Sequence, residues 1–99
     1  MAAQFDVFRL PNGSLAVLLQ DDLHEGLATR VIAPLVPLSK ARPQPAGISP
    51  VVHFAEQPHA ILVQSLAAVP ASLLKKSCGS LAHCRDSIIR ALDLLFTGV

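Results

Sequence analysis

The chain has 99 residues, of which 52% are hydrophobic and 15% charged, with a formal charge of +1. That length supports one core and one domain, 1–99, and so much apolar side chain excludes a disordered segment. The near-neutral balance, with no run of like charge longer than Lys75-Lys76, lacks the electrostatic footprint of a phosphate-backbone binder, so no direct nucleic-acid binding is expected.

The opening MAAQFDVFRLPNG has no basic segment followed by an apolar one, and no stretch approaches about 18 uninterrupted apolar residues, so the sequence reads as cytoplasmic with no membrane span. QFDVFRL, 4–10, sets Phe5 and Val7 against Asp6 and Phe8, a strand's period of two with imperfect alternation. Asn12-Gly13 tolerates the positive φ angles of a tight hairpin turn, so SLAVLLQ, 14–20, should return antiparallel. A polar turn around Leu23 leads to a strand over 29–38. There Pro34 and Pro37 cannot donate to a ladder, which predicts a bulge or an edge. SKARPQPAG, 39–47, reads as a loop. PVVHFA, 50–55, and AILVQSLAAV, 60–69, read as a second hairpin around EQPH, with Pro58 in the turn or in a bulged connection.

The last third changes period. At about 100° per residue, Leu81, Cys84, Ile88, Ala91, Leu92 and Leu95 share one stripe, the core face of a helix running from 81 to 96. Ser80 is its candidate N-cap, Asp86 complements the dipole, and Gly98 stands where a left-handed residue ends helices. Strands followed by one helix predict an α+β domain with a small antiparallel sheet or barrel. Ile89, Leu94 and Phe96 are surplus to the core stripe and predict a homodimer or binding face.

Histidines 24, 53, 59 and 83 and the two cysteines, Cys78 and Cys84, lack the paired spacing of a zinc site, and the cysteines read as free thiols. No metal or cofactor is expected. His53, between Val52 and Phe54, reads as a histidine satisfied by a neighbouring backbone group rather than as a catalytic base. Arg9, Arg30, Lys40 and Arg42 are scattered, with no acid or histidine fixed beside them.

QFDVF, VIAPL at 31–35, PVVHF at 50–54, SLAAVP at 65–70 and SLAHCRDSIIRALDLLFTGV, in this order, resemble the CcdB toxins of bacterial toxin–antitoxin modules. The resemblance implies a barrel-like, SH3-like five-stranded antiparallel sheet with a small β wing and a C-terminal helix, in a homodimer. It also implies a non-enzymatic poison of DNA gyrase, bound to the gyrase A subunit and neutralised by a CcdA-like antitoxin. The family's terminal tryptophan, glycine and isoleucine correspond to Thr97, Gly98 and Val99, so the aromatic is replaced by Thr97. Further gyrase contacts carry over to Leu23, His24, Asp93 and Phe96, with His24 and Asp93 again substitutions. The alternatives are a toxin-fold endoribonuclease, or a non-toxic protein that only binds an antitoxin.

Overall fold

The computed structural model describes residues 3–24, 26–42 and 48–98. Seven strands and a helix follow in order: β1 (Asp6–Arg9), β2 (Leu15–Leu18), β3 (Thr29–Pro37), β4 (Val51–Phe54), β5 (Gln57–Ile61), β6 (Ala67–Pro70), β7 (Ser77–Ser80) and α1 (Arg85–Thr97). All the pairings are antiparallel, in the order β4-β5-β3-β2-β1-β7, with β6 added beside β3. The sheet is curled. A Cβ placed on Gly79 of β7 would sit 2.6 Å from Cε1 of Phe54 on β4, so the two strands at opposite ends of that order meet.

The β1–β2 hairpin forms as its sequence dictates, with Gly13 at φ 88° and Val7 opposite Val17. Its imperfect alternation has a structural cause, because both faces of this part of the sheet are buried. Val7 and Val17 face the main core, which also holds Phe5, Ala33, Leu35, Ile61, Val63, Leu81, Ile88 and Ala91. Phe8, Ala16, Leu18 and Ile32 face the other way, into a second cluster closed by Leu74. A strand buried on both sides loses the polar half of its pattern.

β3 corrects an expectation. It is neither bulged nor an edge but the strand on which the sheet turns, pairing with β2 along one side and with β6 and then β5 along the other. The Leu62 N–H donates to the Pro34 carbonyl, so Pro34 faces the β5–β6 side, at the step between Ile32 opposite Ala67 and Leu35 opposite Ile61. There the ladder changes partner and no N–H is missed. Pro37, by alternation, faces β2, which begins only at Leu15 opposite Leu35.

The second hairpin is present with a shifted turn. Ala55 and Glu56, at φ 52° and 65°, form it, while Gln57 and Pro58 are already in β5. Pro58 pairs with His53, in a position whose N–H would face away from β4, beyond the last β3 partner, Pro37 opposite His59. The single strand expected over 60–69 is two, β5 and β6, separated by a 3-10 turn at Val63–Ser65. That break lets the chain step along one side of β3, from the Leu35–Pro37 part to the Thr29–Ile32 part. β7 is also additional to the five main strands expected.

Leu81, Ile88 and Ala91 are buried, and Cys84, Leu92 and Leu95 pack against the same core, as the stripe requires. The helix starts later than its sequence pattern, at Arg85, because the Leu81 N–H is still held by the Phe5 carbonyl and a 3-10 turn, Ala82–Cys84, intervenes. Ser80 is therefore not the cap of α1; it ends β7, and its Oγ accepts the Ala82 N–H at the entry to that turn, at 3.2 Å. Gly98 ends the helix as expected, at φ 76° with its N–H on the Leu94 carbonyl. Residues 43–47 of the expected loop lie outside the described residues.

Candidate functional site

The last turn of α1 gathers Asp93, Phe96, Thr97 and Gly98. The left-handed Gly98 turns the backbone off the helix axis and closes the turn on Leu94. Thr97 Oγ1 donates to the Asp93 carbonyl at 2.7 Å, so its hydroxyl is spent within the helix. Phe96 is 68% exposed, although it lies one residue from Leu95, which packs on the core. The Phe96 ring therefore faces solvent rather than the core. Val99 lies outside the described residues.

Upstream on the same helix, Arg85, Asp86, Ile89, Arg90 and Asp93 line a shallow groove of about 260 Å³. Ile89 is its apolar residue, and the other four carry both signs of charge. Arg85 and Asp86 approach to 4.0 Å, both well exposed. Ile89 also packs in part on the core, so only one side of it is open.

Leu23 and His24 sit elsewhere. They belong to a 3-10 turn, Asp22–His24, between β2 and β3, and Leu23 is 87% exposed. Asp21 Oδ1 accepts the Leu23 N–H, and Asp22 Oδ1 accepts the Gln4 N–H at 2.7 Å. The next residue, Phe5, holds Leu81, where the chain enters the helical segment. The Leu23 loop is therefore tied beside the base of the helix, while Asp93 to Gly98 lie at its far end. The structure brings four of the site residues together and leaves these two apart.

The histidines rearrange the expectation for His53. That side chain is exposed on β4, and the buried histidine is His59, 4% exposed. Its Nδ1 lies 3.0 Å from the Gln57 carbonyl, which can only accept, so Nδ1 carries the proton. Phe54 packs edge-on against the ring at 5.8 Å. The backbone-satisfied histidine predicted for position 53 is instead His59, which lies opposite the buried Val52 and shares its inward face, while His53 lies opposite Pro58. Among the described residues no group of three or more His, Cys, Asp and Glu converges.

Both cysteines are free thiols. Cys84 lies against the core, and desolvation there pushes its thiol above the ordinary value. Cys78 is exposed on β7, its Sγ 3.4 Å from the Val7 carbonyl.

Of the scattered cations, Arg9 and Lys40 line one cleft of about 330 Å³ at the end of the sheet. The sequence holds no local signal for it, since the two are 31 positions apart and meet only through the β1–β2–β3 register. Arg30 instead donates to the Leu27 and Thr29 carbonyls on its own strand's approach. No helix among the described residues is long and apolar enough to cross a membrane.

Comparison with known proteins places these features in a family. The family model described as "CcdB protein" matches residues 4–98, nearly the whole chain, and the protein belongs to the CcdB family. Among solved structures, the fold is similar to the Mycobacterium tuberculosis toxin MazF-mt6, with 17% identity and a TM-score of 0.73 over 92% of this chain and 93% of that one. A second Mtb toxin is 15% identical at a TM-score of 0.73, covering 91% of this chain and 99% of that one. At such identities the likeness is one of fold, a curled antiparallel sheet with a C-terminal helix.

Proposed function

From membership of the CcdB family, we propose that this protein is the toxin of a toxin–antitoxin module. It acts by binding rather than by chemistry, holding the gyrase A subunit through the end of α1, and a CcdA-like antitoxin neutralises it. The observation that carries the reading is the combination of a family match over residues 4–98 with a Phe96 ring 68% exposed on the last turn before the left-handed Gly98. An interface centre is built from such an aromatic, fixed by a rigid helix and surrounded by a polar rim. Asp93, Arg90 and Thr97 supply that rim.

The flank of α1 that holds Ile89 supports a homodimer: Ile89 is half-covered, and an isologous contact along that flank would join it to its copy and leave the Phe96 ring for gyrase A. Pairing there would also bring a second Leu23 loop into the assembly, extending the contacts beyond one protomer's helix tip.

Calorimetry with the purified gyrase A subunit, run beside incubation with a defined RNA, tests the reading. Saturable binding that Phe96→Ser weakens by tenfold or more, with the RNA intact, is the expected result. RNA cleavage that persists through purification and disappears with His53→Ala or Arg9→Gln would replace the binding mechanism with an endoribonuclease. Sedimentation at tens of micromolar should give the mass of two chains, and a monomer there would remove the dimer from the proposal.

A further inference from the structure

At Phe5 the backbone and the side chain make opposite demands. Its φ of 69° lies in the left-handed region that bulky side chains avoid, yet its ring is 2% exposed in the main core. The Asp6 N–H donates to the Ala3 carbonyl at 3.0 Å, which closes a turn over residues 3–6. Phe5 occupies the third position of that turn, where a positive φ ordinarily calls for glycine or asparagine. A backbone in such a state persists only where its surroundings over-determine it.

Those surroundings reach two separate parts of the molecule. On one side, Asp22 Oδ1 accepts the Gln4 N–H at 2.7 Å and Gln4 Nε2 donates to the Leu19 carbonyl at 3.0 Å, so the turn is tied to the loop that carries Leu23. On the other, the Phe5 carbonyl accepts the Leu81 N–H at 2.8 Å, and Leu81 is wholly buried at the base of α1. Between them the Phe5 N–H donates to the Leu18 carbonyl, at the end of β2. A change of φ at Phe5 turns its carbonyl relative to its N–H, so the grips on Leu18 and on Leu81 hold together only in the left-handed state.

We propose that the 3–6 turn is a strained latch that couples the Leu23 loop to the base of α1. With the Asp22 carboxylate on the Gln4 N–H, the latch is closed. When a partner draws the loop outward and that bond breaks, Phe5 relaxes toward an ordinary φ and its carbonyl leaves the Leu81 N–H. The entry to the helix then loosens around Cys84. The effect runs both ways, since coupling between two sites is reciprocal. Asp21 takes no part, because its carboxylate accepts the Leu23 N–H within the loop itself. The latch shares no residue with the Phe96 tip and holds whatever molecule binds there.

Hydrogen exchange and cysteine alkylation on the full chain test it. Asp22 is exposed, so Asp22→Ala removes the tie and leaves the core intact. In that variant the Leu81 amide should exchange about tenfold faster, and iodoacetamide should reach Cys84 about fivefold faster relative to the exposed Cys78. The amide of Ala33, buried in the middle of the sheet, should keep its rate. Asp22→Asn retains an oxygen for the Gln4 N–H and should bring both rates close to those of the unaltered chain, and Asp21→Ala should leave them unchanged. The proposal fails if Asp22→Ala leaves Leu81 and Cys84 as they were, if Asp22→Asn is as loose as Asp22→Ala, or if Asp21→Ala loosens the helix base equally. It also fails if Ala33 exchange rises by the same factor as Leu81, which would make the effect a loss of global stability instead of the opening of a latch.

Discussion

The two ends of α1 carry side chains of similar kind in opposite circumstances. At its base, Leu81 and Ile88 are wholly buried between helix and sheet, whereas at its tip Phe96 is 68% exposed beside a Thr97 bonded only to its own helix. A 3.6-residue period fills one face of a helix, and Leu95 still packs on the core one residue before Phe96. Burial therefore runs out around the axis, where Phe96 leaves the stripe. The base answers to stability, and the tip is free to answer to a partner.

The strongest way to test that division is to damage the base. Ile88 is fully buried in the main core with Leu81, Val63 and Ile61, so Ile88→Ala removes apolar contacts and leaves a cavity. The expected loss is about 2–5 kcal/mol, read from urea unfolding, and it would leave a domain of this size barely folded. A loss below about 1 kcal/mol, within the range of surface substitutions, would mean that the helix packs far more loosely than its burial implies.

The next largest effect concerns the closure of the sheet. Gly79→Ala would drive a methyl to within 2.6 Å of Phe54 Cε1, so ring or strand must move. Overpacking of this kind costs about 1–3 kcal/mol. Adding Phe54→Leu should recover part of that loss, a coupling that a double-mutant cycle measures and that two independent sites would not show.

How far the sequence announced these features depended on the range of the cause. The β1–β2 hairpin, the helix stripe and the Gly98 stop were legible because each rests on neighbours within a turn or two: Asn12-Gly13, the Leu81-to-Leu95 period and one left-handed residue. β7 was not, since Ser77-Cys78-Gly79-Ser80 has no apolar alternation and is a strand only because β1 lies beside it and Gly79 admits Phe54. The prolines misled for the same reason: whether Pro34 loses a hydrogen bond depends on where β5 replaces β6. At the candidate site, the tip residues were legible from the resemblance and from the excess of apolar positions. The Arg9–Lys40 cleft is created by register and had no local signature at all.

A smaller effect, of opposite sign, is expected at the β4–β5 turn. Ala55 and Glu56 both hold positive φ, which side chains disfavour and which Asn-Gly adopts readily. Ala55→Asn with Glu56→Gly should stabilise by about 1 kcal/mol and raise the melting temperature. If the double variant melts lower, the turn's side chains are held by contacts other than backbone geometry.

The cysteines give the same inside-and-outside contrast without a large stability change. Cys78 is exposed, while burial raises the Cys84 thiol, so iodoacetamide should alkylate Cys78 first at any pH below the ordinary thiol value. The sign of the linkage follows. Below that value Cys84 is neutral in both states and its titration does not affect stability. Above it the unfolded chain ionises first, and stability falls as pH rises. Mass spectrometry of partly alkylated protein settles the order, and equal labelling would show that the helix base opens as readily as its surroundings.

The smallest change in stability should come with the largest change in binding. Of the residues removed by a 97–99 truncation, the described ones, Thr97 and Gly98, belong to neither apolar cluster. Thr97 and Gly98 contribute one side-chain bond within the helix and the closing N–H to the Leu94 carbonyl. Fraying of a last turn is worth a few tenths of a kcal/mol at most, about what terminal residues beyond the packed part of a chain supply. Gyrase A binding should nonetheless be lost, because Phe96 would then end a disordered turn instead of being held by the Gly98 closure. Thr97→Trp makes the opposite test: it adds an aromatic beside Phe96 where the present side chain spends its hydroxyl on Asp93. A tryptophan at an interface centre is commonly worth about 2 kcal/mol, so calorimetry should show a gain of roughly thirtyfold in affinity with the melting temperature unchanged. If the truncated chain binds as tightly as the whole one and Thr97→Trp changes nothing, the tip is only a helix end, and the partner-facing surface must be sought along the Ile89 flank instead.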